Sequence, residues 1–165
     1  MSERLPDGVR LLSGSPPIDG VRVLPLRRIP DERGTILHIM SSQDPWFDRF
    51  GEVYCSTVYP GVVKGWHKHR EMTLNYVCLA GRVKCVVHDD REGSPSRGAT
   101  MEIYLGPDAY NLLVVPPDVW NGFKGLSDPL AMVVNCCTHA HDPARSERLD
   151  PYQNHIPYDW ARKDH

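Results

Sequence analysis

No C-x-x-C pair occurs in this chain, although it carries five cysteines: Cys55, Cys78, Cys85, Cys136 and Cys137. An odd number without paired spacing offers no disulfide framework and no zinc or redox motif. Long apolar runs are missing as well, so no stretch reads as a membrane-spanning helix. The opening residues, "MSERLPDGVR", are polar and hold no apolar signal core. The expectation is a cytoplasmic protein with free, mostly buried thiols. Neither sign of charge dominates: the formal net charge is −2 with His neutral. That balance argues against nucleic acid as a partner. Internal repeats, low-complexity tracts and long linkers are absent too, and 165 residues suit one domain spanning 1–165.

Sustained 3.6-residue apolar periodicity is also lacking, which disfavours an α-helical core. What recurs instead is short β-rich segments: "GVRVLPL", "GTILHIM", "EVYCSTVY", "LNYVCLA", "RVKCVVHD", "TMEIYLG", "NLLVVPP" and "LAMVVNCCT". Turn formers such as "PDERG", "YPG", "DDREGSPSRG" and "GLSDP" separate them. This pattern predicts an all-β, antiparallel sandwich or barrel. "DPWFDRF" and "DPARSERL" are expected to form short peripheral helical turns. The C-terminal "RLDPYQNHIPYDWARKDH" is expected to wrap the body as loops, with Tyr152, Tyr158 and Trp160 packed against it.

The chemistry concentrates in "GVVKGWHKHR", residues 61–70. His67 and His69 are two apart, so on a strand both imidazoles face one side. Gly61, the H-x-H pair and the later Gly81 resemble the first motif of a cupin-type jelly-roll β-barrel. Metal-binding cupins place a glutamate four or five residues after the second histidine, where this chain has Thr73 and Leu74. Their second motif supplies a further histidine where "VPPDVWNGF" has Asn121. Glu71 has the wrong strand parity to point inward. Two histidines and an amide make a poor first-row metal site, so acid–base work is the better reading and no metal or other cofactor is expected.

Five segments in order resemble the dTDP-4-dehydrorhamnose 3,5-epimerase family, from about residue 20 to residue 160. "PDERGTILHI" is similar to its D-E-R-G turn and following strand, and "VKGWHKH" to its R-G-L-H segment. "DDREGSPSRG", "VPPDVWNGFKGLSD" and "LDPYQNHIPYDW" are similar to the three later motifs. The resemblance implies a cupin-type antiparallel jelly-roll, a homodimer and a nucleoside-diphosphate sugar substrate. It also implies an isomerase that inverts C3 and/or C5 of a 4-keto-6-deoxyhexose without a cofactor.

Such a reaction needs a base for the α-proton, a group for the enolate oxygen and an acid on the opposite face. His67 matches the family's base. Lys64 stands where the family has an arginine, and reaches the substrate only if the Gly65 turn breaks strand parity. Arg33 in "DERG" matches a residue that approaches the phosphates, commonly across the dimer. Arg91 is a weaker candidate, equally suited to a structural ion pair.

Three family positions are not matched. The general-acid tyrosine falls at Val134, a lysine falls near Leu74, and the aspartate partner of the histidine lies beyond the terminal D-W. Tyr76 is the expected replacement acid, His69 a second proton carrier, and Asn121 a donor to a carbonyl oxygen. Trp120, with Trp66, is expected to stack on a base or sugar face. Two alternatives stay open: a sugar 3,4-ketoisomerase using the His67/His69 pair, and a cupin that binds a nucleotide sugar without turnover.

Overall fold

The structure, a computed structural model, describes residues 5–12 and 14–164. Its strands are β1 (Val9–Leu11), β2 (Arg22–Pro25), β3 (Arg28–Asp31), β4 (Gly34–Leu37), β5 (Glu52–Val58), β6 (Val63–His69) and β7 (Leu74–Ala80). They continue with β8 (Val83–His88), β9 (Thr100–Leu105), β10 (Asn111–Val115), β11 (Trp120–Gly125), β12 (Ala131–Cys137) and β13 (Ser146–Arg148). One sheet has the order β1-β9-β8-β11-β6-β13, the facing sheet β2-β10-β7-β12-β5, and β3-β4 form a separate hairpin. All strand pairs within these sheets are antiparallel, so the fold is the all-β jelly-roll barrel that the punctuated short strands predict.

Strand alternation sorts the side chains into an interior and two covered exteriors. Val83, Cys85, Val87, Met101, Ile103 and Phe123 of one sheet meet Leu74, Cys78, Leu113, Val115 and Val133 of the other. Outside the six-stranded sheet, Trp66, Val86, Trp120, Ile156 and Trp160 form a second cluster. Outside the five-stranded sheet, Val77, Leu112, Val114 and Val134 are covered by Leu24, Leu37, Ile39 and Trp46. Strands such as β8 and β10 are therefore buried on both faces, and read as continuous rather than alternating apolar runs. Cys136 and Cys137 fall on opposite faces of β12, and the cysteines are free among the described residues.

The peripheral segments depart from expectation. "DPWFDRF" makes turns without helix, Phe47 N–H donating to the Asp44 carbonyl. "DPARSERL" gives one 3₁₀ turn, Pro143–Arg145, capped by the Asp142 side chain, and then an edge strand. Tyr158 and Trp160 pack on the body, but Tyr152 is exposed. β11 carries two glycines and a lysine, which hides its strand character, and it pairs fully with β8.

One irregularity positions the chemistry. In the β6–β11 ladder His67 faces Asn121 and Lys64 faces Phe123, so Gly65 and Trp66 together oppose Gly122. This bulge turns Lys64 to the face that carries His67, where strict alternation would separate them. The two backbones touch there: a Cβ on Gly122 would lie 3.0 Å from Gly65 Cα, 3.1 Å from the Lys64 carbonyl and 3.3 Å from the Trp160 ring. Gly122→Ala should therefore destabilise the protein by about 1–3 kcal/mol, the usual cost of overpacking. Urea unfolding midpoints of the two proteins test this.

Candidate active site

Two rows of side chains face each other across the barrel. On β13, β6 and β11, Arg148 pairs with His67 and His67 with Asn121. On β5, β12 and β7, Tyr54 pairs with Asn135 and Asn135 with Tyr76. Cross-strand partners share a face, so each row presents its side chains together. The rows are tied at one end, where the Tyr76 hydroxyl donates to Asn121 Oδ1 at 3.1 Å. Asn121 Nδ2 donates to the carbonyls of His67 at 3.0 Å and Val119 at 3.4 Å. Asn121 thus clamps the backbone of the histidine strand. Across the open seam, Lys64 Nζ donates to Ser56 Oγ of β5 at 2.9 Å.

Burial and positive neighbours set the proton chemistry of this space. Burial, and then Arg148, His69, His141 and Lys64, lower the His67 pKa to about 4. Its imidazole is therefore neutral, and able to accept a proton, throughout the physiological range. His69 is shifted the same way, by burial and by His141 and Arg148, and its ring centroid lies 6.1 Å from that of His141. A recess of about 240 Å³ opens beside His69, bordered by Met72, His139 and Arg145.

Several expected roles change with this geometry. Tyr76 faces inward, but its proton is committed to Asn121 and complete burial pushes its pKa well up. It is a structural bridge and not a ready acid. Both amide hydrogens of Asn121 are occupied, so it has none directed at a substrate oxygen. Trp120 lies on the outer face of its sheet, its indole N–H donating to Asp90 Oδ2 at 2.7 Å and the Lys68 ammonium 4.5 Å over its ring. Neither Trp120 nor Trp66 reaches the cavity, because both sit at outward positions of their strands.

Val134 also points outward, so the inward position of that stretch is Asn135. Arg33 sits at the exposed tip of the β3–β4 hairpin, its guanidinium on Asp31 Oδ2 at 2.5 Å, and joins none of these contacts within its own chain. Arg91 forks onto buried Asp89 at 2.9 Å, the structural role. Burial opposes ionisation of Asp89, but the bonds from Arg91, Ser94 and Ser96 prevail and hold its carboxyl below the usual range. Glu71 pairs with Arg145 at the surface.

Sequence reasoning missed Tyr54, Ser56, Asn135, His141 and Arg148. Tyr54 and Ser56 share the parity of Val58 on an edge strand, and that alternation was the available signal. Arg148 lay within a segment expected to turn as helix.

Two expectations are open to measurement here. Asn121→Ala should cost about 1–3 kcal/mol in urea unfolding, because the His67 carbonyl and the Tyr76 hydroxyl both lose their partner. His67 is neutral in the fold down to about pH 4, whereas its unfolded value is 6.5. Between those values the unfolded chain binds more protons, so this contribution is present above pH 6.5 and is lost as pH falls toward 4. His67→Gln should therefore lose less stability than wild type between pH 7 and about pH 4.5 in paired denaturation curves.

Known proteins share both this sequence and this shape. The profile of the dTDP-4-dehydrorhamnose 3,5-epimerase family matches residues 15–165. A probable low-salt glycan biosynthesis epimerase, Agl13 of Haloferax volcanii, is 34% identical over 146 residues, covering 87% of this chain and 90% of its own. The spore coat polysaccharide biosynthesis protein SpsL of Bacillus subtilis is 30% identical over 142 residues, covering 86% and 91%. Among solved structures, a dTDP sugar isomerase from Desulfovibrio desulfuricans superposes with a TM-score of 0.86 at 40% identity, over 90% of this chain and 95% of that one.

Proposed function

Because the chain belongs to the dTDP-4-dehydrorhamnose 3,5-epimerase family, and is thereby an isomerase acting on sugar nucleotides, we propose that it inverts C3 and/or C5 of a nucleoside-diphosphate 4-keto-6-deoxyhexose with His67 as the base. The observation that carries this reading is a neutral, desolvated imidazole on an inward strand position, with the cations Arg148 and Lys64 among its neighbours. The C4 ketone acidifies the neighbouring C–H, and His67 takes that proton to leave an enolate. Lys64 shares its face and supplies positive charge for the enolate oxygen or the diphosphate. The same cations that depress the His67 pKa are those an anionic substrate would offset. Substrate binding then raises the basicity of His67 when the proton must move. The Desulfovibrio relative, named a dTDP sugar isomerase, supports a thymidine nucleotide. The two curated relatives are named for glycan and spore-coat polysaccharide biosynthesis, which supports a deoxysugar pathway that feeds a glycan or polysaccharide.

A homodimer fits the surface. Ile29 and Ile36 on the β3–β4 hairpin and Val53 on the edge strand β5 are exposed apolar groups. A second copy covering them would carry Arg33 toward its partner's substrate phosphates. A single domain over the whole chain fits the two-sheet core.

The shared inward face of His67 and His69 favours one competing reading, a 3,4-ketoisomerase that passes a proton between adjacent carbons. Deuterium uptake from D₂O separates the readings. Wild type incubated with dTDP- and other nucleoside-diphosphate 4-keto-6-deoxyhexoses should place deuterium at C3 or C5, read by NMR. In His67→Ala the uptake should fall by about 10²–10⁴-fold. A ketone moved from C4 to C3 would establish the ketoisomerase instead. Binding without uptake from any of these sugars would leave a binding protein.

A further inference from the structure

The two inward tyrosines are held in opposite senses. Tyr76 gives its proton away within the protein, to Asn121 Oδ1. Tyr54 does the reverse: its hydroxyl oxygen accepts from Asn135 Nδ2 at 3.0 Å. The polarity of that bond is fixed, because Asn135 is fully buried and its Oδ1 accepts the backbone N–H of Asn75 at 3.0 Å. Only the amide nitrogen is left for Tyr54. Burial, with Cys137 and Glu52 nearby, raises the Tyr54 pKa, and the N–H donor behind its oxygen is the contact that opposes this and stabilises a phenolate once the proton has left. Its side chain, on the edge strand β5, is exposed, whereas Tyr76 is sealed in.

Position favours Tyr54 as well. The Tyr76–Asn121 bond closes one end of the facing rows, and the Asn135–Tyr54 side of one row then extends over the His67–Arg148 side of the other. The Lys64–Ser56 bond fixes the register across the seam. β5 enters the turn at residues 59–62 and β6 leaves it, so going back along β5 and forward along β6 both lead away from the Ser56–Lys64 bond. Two residues from Ser56 lead to Tyr54 and three from Lys64, across the bulge, lead to His67. His67 and Tyr54 therefore project from facing sheets toward the same interior space.

We propose that Tyr54 is the proton donor of the epimerisation, set in place by Asn135, a role displaced from β12 to the neighbouring strand β5. The proposal rests on the epimerase reading above. His67 removes the α-proton and the C–H electrons pass to the carbonyl oxygen. Tyr54 then gives its hydroxyl proton to the same carbon from the opposite face as the carbonyl re-forms. The resulting phenolate, held by the Asn135 N–H, regains a proton from water, and the His67 imidazolium returns its proton to water.

The test separates abstraction from inversion. Tyr54→Phe, incubated in D₂O with the nucleoside-diphosphate 4-keto-6-deoxyhexose that wild type epimerises, should still wash deuterium into recovered substrate of unchanged configuration. His67 can return a deuteron to the face it came from. Formation of the inverted product should fall by about 10²-fold or more. The retained exchange also shows that the variant is folded and binds substrate. Inverted product within about threefold of wild type would overturn the proposal, as would parallel loss of exchange and inversion. Wild type that exchanges no such sugar would overturn both the proposal and the reading beneath it, whereas a failure confined to Tyr54→Phe leaves the epimerase reading intact. Asn135→Leu, which removes the supporting N–H, should lower inversion while exchange persists.

Discussion

Everything chemical in this barrel depends on the place where the backbones of Gly65 and Gly122 meet. The bulge that lets two residues of β6 oppose one of β11 breaks the two-residue alternation at one point only. Upstream of it Lys64 faces inward, and downstream His67 and His69 do. Without it, either Lys64 or His67 would lie against the tryptophans outside. The close approach also lets the outer cluster of Trp66, Trp120 and Trp160 clamp the strand from behind. The His67 imidazole is therefore mounted on a strand with little freedom to shift.

A second constraint is electrostatic. The cavity collects Lys64, Arg148 and three histidines, and after burial it is Arg148, His69, His141 and Lys64 that act most strongly on His67. An imidazole in such surroundings stays neutral because burial and neighbouring charge both oppose protonation. The acidic residues that do occur near the sheets are used elsewhere. Asp89 organises the loop after β8, Asp90 binds Trp120, and Glu102 accepts from Tyr158 on the outer face. The inward Glu52 of β5 accepts the backbone N–H of His141 and bears on Tyr54, at the far end of the facing row.

Much of this was legible in the sequence, for physical reasons that can be named. Doubly buried strands such as β8 and β10 have no choice but to be apolar, so they declare themselves. The H-x-H pair declared a shared face, because a two-residue spacing on a strand permits nothing else. β11 and β13 were less visible, since glycines and charged residues satisfy a ladder without looking like one. The side chosen by Lys64 was not legible, because a bulge is a property of two strands together. Trp120 was placed on the wrong side of its sheet by chemical appetite rather than parity. Reading Asn121 as inward assigns its neighbour Trp120 outward, and that is where it lies.

The row Tyr54–Asn135–Tyr76 carries a lesson about how such barrels diverge. Residues opposite one another on paired strands sit only about 5 Å apart at Cβ, even when, like Tyr54 and Asn135, they are 81 positions apart along the chain. A hydroxyl can therefore step sideways from one strand to the next and still aim into the same volume. An alignment, which compares positions one column at a time, records that step as two unrelated events, a loss here and an idiosyncratic gain there. In space nothing need be lost. What selection preserves is a functional group at a location, and a sheet offers several addresses from which to deliver it.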